Sequence, residues 1–308
     1  MRKILIILAA VLLAACPACA AAETVESEES GMFVFADAIP EADRMVIKEK
    51  GTIERIAYPS RDYAGDGAEI TKHAVVYLPF GYSADGEYDV LVLCHGVGGT
   101  EDEWSFGRTL SIGRTLTDNL IARGEVRPLI IVMPNGRSCA NCYDTSMENA
   151  AAFYVFGQEI RNDLLPWMDS HYATWAAKHP DDPAVREHRA MAGLSMGGMQ
   201  TINIGLCECL DLFAWFGAFS AAPTSYEASR IRAEIAKFPD LEIRYFYSIC
   251  GLEDGLYFAG SGAAKNLPAV CDRFTEENWY WQERHGGHDF NIWNLGLYNF
   301  LRIYGGER

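Results

Sequence analysis

The pentapeptide Gly193-Leu194-Ser195-Met196-Gly197 constrains this chain more than any other feature. The pattern G-x-S-x-G marks a sharp turn from strand to helix that lifts a serine hydroxyl out of the chain. Its glycines stand where a side chain would strike neighbouring backbone and where the turn is strained. The pattern carries weight only in context, and the context is present. His188-Arg189-Ala190-Met191-Ala192 is a short, mostly apolar run before it, and Met199 to Leu206 follows with helical spacing.

The flanking sequence alternates in the same way. Thr71 to Pro79, Asp89 to Cys94, Pro128 to Pro134, Phe216 to Phe219 and Glu242 to Cys250 read as strands, several of them continuously apolar. Leu110 to Arg123, Gln158 to Tyr172 and Leu295 to Tyr304 have helical spacing. This order predicts an α/β fold with a mostly parallel central sheet and helices on both faces. Functional residues gather at the carboxyl ends of such strands. The loop His95-Gly96-Val97-Gly98-Gly99, Ser195 and the segment after Cys250 all fall at those ends.

The first 22 residues read as a secretory signal. Met1-Arg2-Lys3 is basic, and Ile4 to Ala15 is apolar for only about a dozen residues, too short for a comfortable membrane span. Leu13-Ala14-Ala15-Cys16 resembles a bacterial lipobox, which would lipidate Cys16. Ala18-Cys19-Ala20 and Ala20-Ala21-Ala22 fit ordinary small-residue cleavage instead. The lipobox is preferred because the apolar run ends on it. Residues 23–45 are expected to be an acidic tether and N-terminal extension, and 46–308 one large domain.

The net charge of −16 becomes more negative still once Arg2 and Lys3 leave with the leader, and no basic run follows. Nucleic acid is thereby excluded as an expected partner, and a membrane is expected only through the lipid anchor. Among the nine cysteines, Cys139-Ala140-Asn141-Cys142 and Cys207-Glu208-Cys209 form close pairs. Without further His or Cys ligands nearby, a loop disulfide or free thiols fit Cys139 and Cys142 better than a metal.

A serine hydroxyl is a poor nucleophile until a base takes its proton and an acid orients the base. In this fold class the chain order is serine, acid, histidine. Two histidines follow Ser195, namely His285 and His288, around Gly286-Gly287. A zinc pair there would lack a third ligand. Glu253 and Asp254, directly after the strand ending at Cys250, are the leading acids. The negative oxygen of a tetrahedral intermediate needs preorganised N–H donors. One is expected from Met196, the residue after the serine, and the other from the loop after Leu93.

Three segments together resemble one family. They are His95-Gly96-Val97-Gly98-Gly99-Thr100-Glu101-Asp102-Glu103-Trp104, Gly193 to Gln200, and Gly286-Gly287-His288-Asp289-Phe290-Asn291-Ile292-Trp293. In that order they are similar to carbohydrate esterase family 1, the esterase D-like group of feruloyl and acetyl xylan esterases, over roughly residues 50–304. The resemblance implies an α/β-hydrolase fold and a serine esterase without cofactor or metal. It implies Ser195 as nucleophile, His288 as base, Asp254 as acid, and the N–H groups of Val97 and Met196 as oxyanion hole. It implies as substrate an esterified plant polysaccharide such as xylan, carrying feruloyl or acetyl groups, and the leader places that encounter outside the cell. Trp104, Phe290 and Trp293 are expected to line the site as an aromatic wall. Two other readings stay open: a non-catalytic carbohydrate-binding protein on this fold, and an acyltransferase of the mycolyltransferase-like kind.

Overall fold

Asp89–Cys94 (β3) and Leu129–Pro134 (β4) are buried at every position, as strands covered on both faces must be. They form the middle of an eight-stranded sheet in the computed structural model, which describes residues 33–104, 111–258 and 264–306. The other strands are β1 (Thr52–Arg61), β2 (Glu69–Leu78), β5 (Arg189–Leu194), β6 (Trp215–Phe219), β7 (Tyr245–Gly251) and β8 (Trp279–Arg284). Their order is β1-β2-β4-β3-β5-β6-β7-β8. β1 and β2 pair antiparallel, as do β2 and β4, and every later pair is parallel. With its helices this is the α/β-hydrolase fold expected from the alternation.

Successive strand residues face opposite ways, so the sheet separates two cores. Val90 and Val92 point to the first, with Val76 and Val132. That face is covered by α2 (Phe156–Glu159), the π-helical turn Ile160–Leu164, α3 (Leu165–His171) and α6 (Ala228–Ile235), through Phe156, Ile160, Leu164, Met168 and Ile231. Leu91 and Leu93 point to the second. There α1 (Gly113–Ala122) and α8 (Phe290–Gly305) contribute Leu116, Leu120, Leu297, Phe300 and Tyr304. The shorter helices are α4 (Trp175–Lys178), α5 (Met196–Gln200) and α7 (Leu267–Val270).

The strand order reverses between β3 and β5. From β3 the chain moves outward to β4, then returns to the other side of β3 as β5. At such a switch point the loops leaving the two strands diverge and open a crevice. The glycine-rich loop leaves β3 there, and Ser195 leaves β5 there.

The structure refines the bounds read from the sequence. Packed residues extend to the N-terminal side of residue 46. Phe35 already stacks on Tyr280 at a ring-centroid distance of 3.9 Å, and Ile39 is buried. The signal segment, Cys16 and the acidic residues before 33 lie outside the described residues, and no described helix is long and apolar enough to cross a membrane. The strand read from Glu242 starts at Tyr245, while β1 and β8 form the sheet edges without having been foreseen. All seven described cysteines are buried free thiols, Cys139 and Cys142 among them.

Candidate active site

Ser195 sits between β5 and α5 with φ 52° and ψ −114°, a region that L-residues seldom occupy. Its backbone is held firmly there. Ser195 N–H donates to Phe219 O at 2.9 Å, and Ser195 O accepts from Ala222 N–H at 2.9 Å and Met199 N–H at 3.0 Å. The motif's glycines have a visible reason. A Cβ on Gly193 would lie 2.6 Å from the Gly197 carbonyl carbon, and one on Gly197 only 2.5 Å from Cys94 O. The turn is thus pressed against the end of β3. Strain at one residue is tolerated because the surrounding bonds over-determine it.

His288 reaches this serine from the loop between β8 and α8. Its Nε2 lies 3.0 Å from Ser195 Oγ, and its Nδ1 lies 2.8 Å from Asp254 Oδ2. Asp254 is 5% exposed and follows β7. Its other oxygen, Oδ1, accepts from Leu256 N–H at 2.8 Å, which keeps the carboxylate from turning. Hydroxyl, imidazole and carboxylate therefore form one unbroken hydrogen-bonded chain. The competing pair stands apart. His285, at the surface, meets Glu253 at 2.8 Å, and that contact holds the Glu253 carboxyl below its usual range.

Gly96 brings the glycine-rich loop over the serine. A Cβ there would lie 3.3 Å from Ser195 Cβ and 2.8 Å from Leu194 Cδ1. Val97 packs with Met196, Met199, Phe153 and Ala222, so the two residues expected to donate to an oxyanion stand in one cluster beside the hydroxyl. Met196 opens α5, and the first N–H groups of a helix have no partner within it. Gly96 N–H donates to Glu103 Oε2 at 2.7 Å, and burial raises the Glu103 pKa.

The aromatic residues expected to face substrate do not all do so. Trp104 is 1% exposed, and its indole N–H donates to Cys94 O at 2.9 Å. It is a core residue, because an indole that has found a partner can be buried fully. Phe290 packs edge-on to both Trp104 and Trp293, at 5.6 and 5.0 Å. Trp293 is buried as well and meets the His288 ring edge-on at 5.0 Å. The three rings form a wedge behind the imidazole rather than an open wall.

Two residues near the site had no role of their own assigned from the sequence, although His95 opens the glycine-rich motif. His95 is buried; its Nδ1 meets Gly96 O at 2.7 Å, and its Nε2 accepts from Gly136 N–H at 2.9 Å. Burial pushes its pKa down to about 3, so the ring is neutral. Arg137, fully buried, donates through Nη1 to Gly99 O at 2.8 Å and through Nη2 to Val97 O. His95 follows β3 and Arg137 follows β4, and their bonds to the carbonyls of Gly96, Val97 and Gly99 bring both to the glycine-rich loop.

A family model described as a putative esterase matches residues 69–284. The chain belongs to this esterase family. It is 35% identical over 154 residues to endo-1,4-beta-xylanase Y of Acetivibrio thermocellus, covering 49% of this chain and 13% of that protein. It is 32% identical over 183 residues to an endo-1,4-beta-xylanase/feruloyl esterase of Xylanibacter ruminicola, covering 58% of this chain and 22% of that one. The chain thus spans less than a quarter of the length of either relative. Among solved structures, a serine-to-alanine variant of the feruloyl esterase module from Clostridium thermocellum, complexed with sinapinate, aligns with a TM-score of 0.72. The identity is 26%, over 88% of this chain and 95% of that one. A ferulic acid esterase from Anaeromyces mucronatus shares the fold, with a TM-score of 0.70 at 23% identity over 87% of this chain and 97% of that one. The resemblance to carbohydrate esterase family 1 is borne out by these matches.

Proposed function

We propose that this protein is an exported serine esterase that removes acyl groups, feruloyl foremost and acetyl as the alternative, from esterified xylan. The observation that carries the reading is the hydrogen-bonded chain from Ser195 through His288 to Asp254, with bonds of 3.0 and 2.8 Å. The feruloyl esterases among its relatives support the choice of acyl group.

In the first half-reaction, His288 Nε2 takes the Ser195 hydroxyl proton as Oγ attacks the ester carbonyl carbon. Asp254 fixes the imidazole with its proton on Nδ1 and stabilises the imidazolium that forms. The carbonyl oxygen becomes negative and is received by the N–H groups of Val97 and Met196. Collapse of this intermediate breaks the bond to the sugar oxygen, which takes the proton from His288. The acyl group stays on Oγ. Water then repeats the sequence, giving up a proton to His288 and releasing the carboxylic acid with Oγ reprotonated. The apolar cluster of Val97, Phe153, Met196 and Ala222 beside the hydroxyl suits an apolar acyl group.

A panel of methyl ferulate, feruloylated and acetylated xylo-oligosaccharides and p-nitrophenyl acetate tests the reading on the wild type and on Ser195→Ala. Fast release of ferulate that disappears in the variant is expected. Equal turnover by the two proteins would remove the mechanism, and acetate release without ferulate release would reassign the acyl group.

A further inference from the structure

Arg137 is a fully buried side chain that the reaction above does not use. Its guanidinium has no ion-pair partner among the described residues. Burying a cation without a carboxylate is destabilising. Burial accordingly lowers its pKa. Its two placed hydrogen bonds both go into the glycine-rich loop, to the carbonyls of Val97 and Gly99, and its guanidinium carbon lies 4.7 Å from the centre of the Phe153 ring.

The loop it holds carries the Val97 N–H. A peptide unit is planar and trans, so its C=O and the following N–H point opposite ways. The Gly96 carbonyl accepts from Gly99 N–H at 3.1 Å and meets His95 Nδ1 at 2.7 Å. Since His95 Nε2 is occupied as an acceptor by Gly136 N–H, the ring proton sits on Nδ1. The direction of Val97 N–H is therefore set by what holds Gly96 O. Arg137 fixes the next carbonyl along, and the one two residues beyond.

Arg137 is itself anchored at its backbone. Lys72 Nζ donates to Asn135 O at 2.9 Å and to Arg137 O. The same ammonium pairs with Glu159 at 3.3 Å, with neither side chain exposed. Glu159 also accepts from Tyr58 Oη at 2.5 Å and Ser138 Oγ at 2.6 Å. Between the two anchored carbonyls stands Gly136. Its N–H bonds His95, and its carbonyl accepts from Gln200 Nε2 at 2.9 Å. Gln200 closes α5, the helix that Met196 opens. One residue thus links the loop carrying the first expected oxyanion donor to the helix carrying the second.

We propose that Arg137 is a positioning residue for the oxyanion hole, holding the Val97 peptide in register with the Met196 N–H, with Gly136 as the strut between loop and helix. This rests on the reading of Val97 and Met196 as the oxyanion donors. It explains why a lone buried guanidinium is kept where an apolar side chain of similar length would fold more stably.

The test uses the full chain with Arg137→Met and Arg137→Lys. It measures kcat and KM for p-nitrophenyl acetate, the affinity of an arylboronic acid that becomes tetrahedral on the serine, the rate of fluorophosphonate labelling, and the melting temperature. In Arg137→Met, kcat should fall on the order of 100-fold, as for a hole displaced by about 1 Å, with KM within about threefold. Boronate affinity and labelling rate should fall in parallel. Arg137→Lys should sit between, because one ammonium cannot span both carbonyls, and it gives the answer should the methionine variant not fold. Wild-type kcat, boronate affinity and labelling beside a lowered melting temperature would overturn the proposal. Labelling needs the serine and the hole but no particular acyl group. A wild type that labels yet spares feruloyl esters would therefore count against the substrate and not against Arg137.

Discussion

Replacing Gly251 by alanine should separate the acid of the site from its base. Gly251 ends β7, three residues before Asp254, and lies against the loop that carries His288. A Cβ on it would stand 2.1 Å from Gly286 O, 2.7 Å from the Gly286 carbonyl carbon and 2.9 Å from Gly287 O. These are backbone atoms and cannot swing aside. Ordinary contact requires about 3.5 Å, so the two segments must part by roughly 1 Å or more. The bonds that tie them, Leu252 N–H to Arg284 O at 2.8 Å and Glu253 N–H to Gly286 O at 3.1 Å, would stretch or break. His288 would follow Gly286 away from Asp254, and bonds of 2.8 and 3.0 Å do not survive such a shift. A displacement of about 1 Å in a reacting group costs about 100-fold in rate, and overpacking costs about 1–3 kcal/mol in stability. Steady-state hydrolysis of p-nitrophenyl acetate by Gly251→Ala, with circular dichroism to verify folding, reads both. Gly255→Ala is the control: it lies one residue past Asp254, and nothing stands within 4 Å of its added Cβ. It should stay within about twofold of wild type, the range of a neutral substitution. A folded Gly251→Ala protein with kcat within threefold of wild type would refute the idea that this close approach registers the acid and the base.

Two further outcomes are expected. His95 has its pKa pushed down to about 3 in the folded protein, against about 6.5 in an unfolded chain. Between those values the unfolded chain binds the extra proton, so stability rises with pH and is lost on acidification, by about 2 kcal/mol from pH 7 to pH 5. Denaturation at the two pH values should show this loss shrinking by that amount in His95→Asn, and an equal loss in both proteins would contradict the assignment. Trp104→Phe leaves Cys94 O without its indole partner and should cost about 1–3 kcal/mol in urea unfolding. Its KM for methyl ferulate should not change, and a large rise would restore Trp104 to a substrate-facing role.

The parts of the fold legible in the sequence were those where one physical demand acts alone. Asp89–Cys94 and Leu129–Pro134 lie under helices on both faces, so an uninterrupted apolar run announces them. Thr52–Arg61 and Trp279–Arg284 sit at the sheet edges with mixed exposure and blurred alternation, and Pro59 interrupts the first. The glycine pattern around Ser195 was readable because steric need leaves a local trace. His288 could not be told from His285 by spacing, since both flank the same glycines and both have an acid nearby. Trp104 lies in a motif-bearing loop, which suggested the site, while its burial depends on a carbonyl ten residues earlier in the chain. Arg137, Gly136 and Gln200 act on backbone groups far away in sequence, and bonds to carbonyls select for reach and place, leaving no periodicity to find.

The proposed reaction requires Ser195 to be a nucleophile activated by His288. The most direct measurement is mass spectrometry of the protein after a short exposure to a fluorophosphonate, in the wild type, Ser195→Ala and His288→Ala. One adduct, on the peptide containing Ser195, is predicted for the wild type, with none in Ser195→Ala and labelling slowed by orders of magnitude in His288→Ala. An adduct on another residue, or labelling of His288→Ala at the wild-type rate, would contradict it.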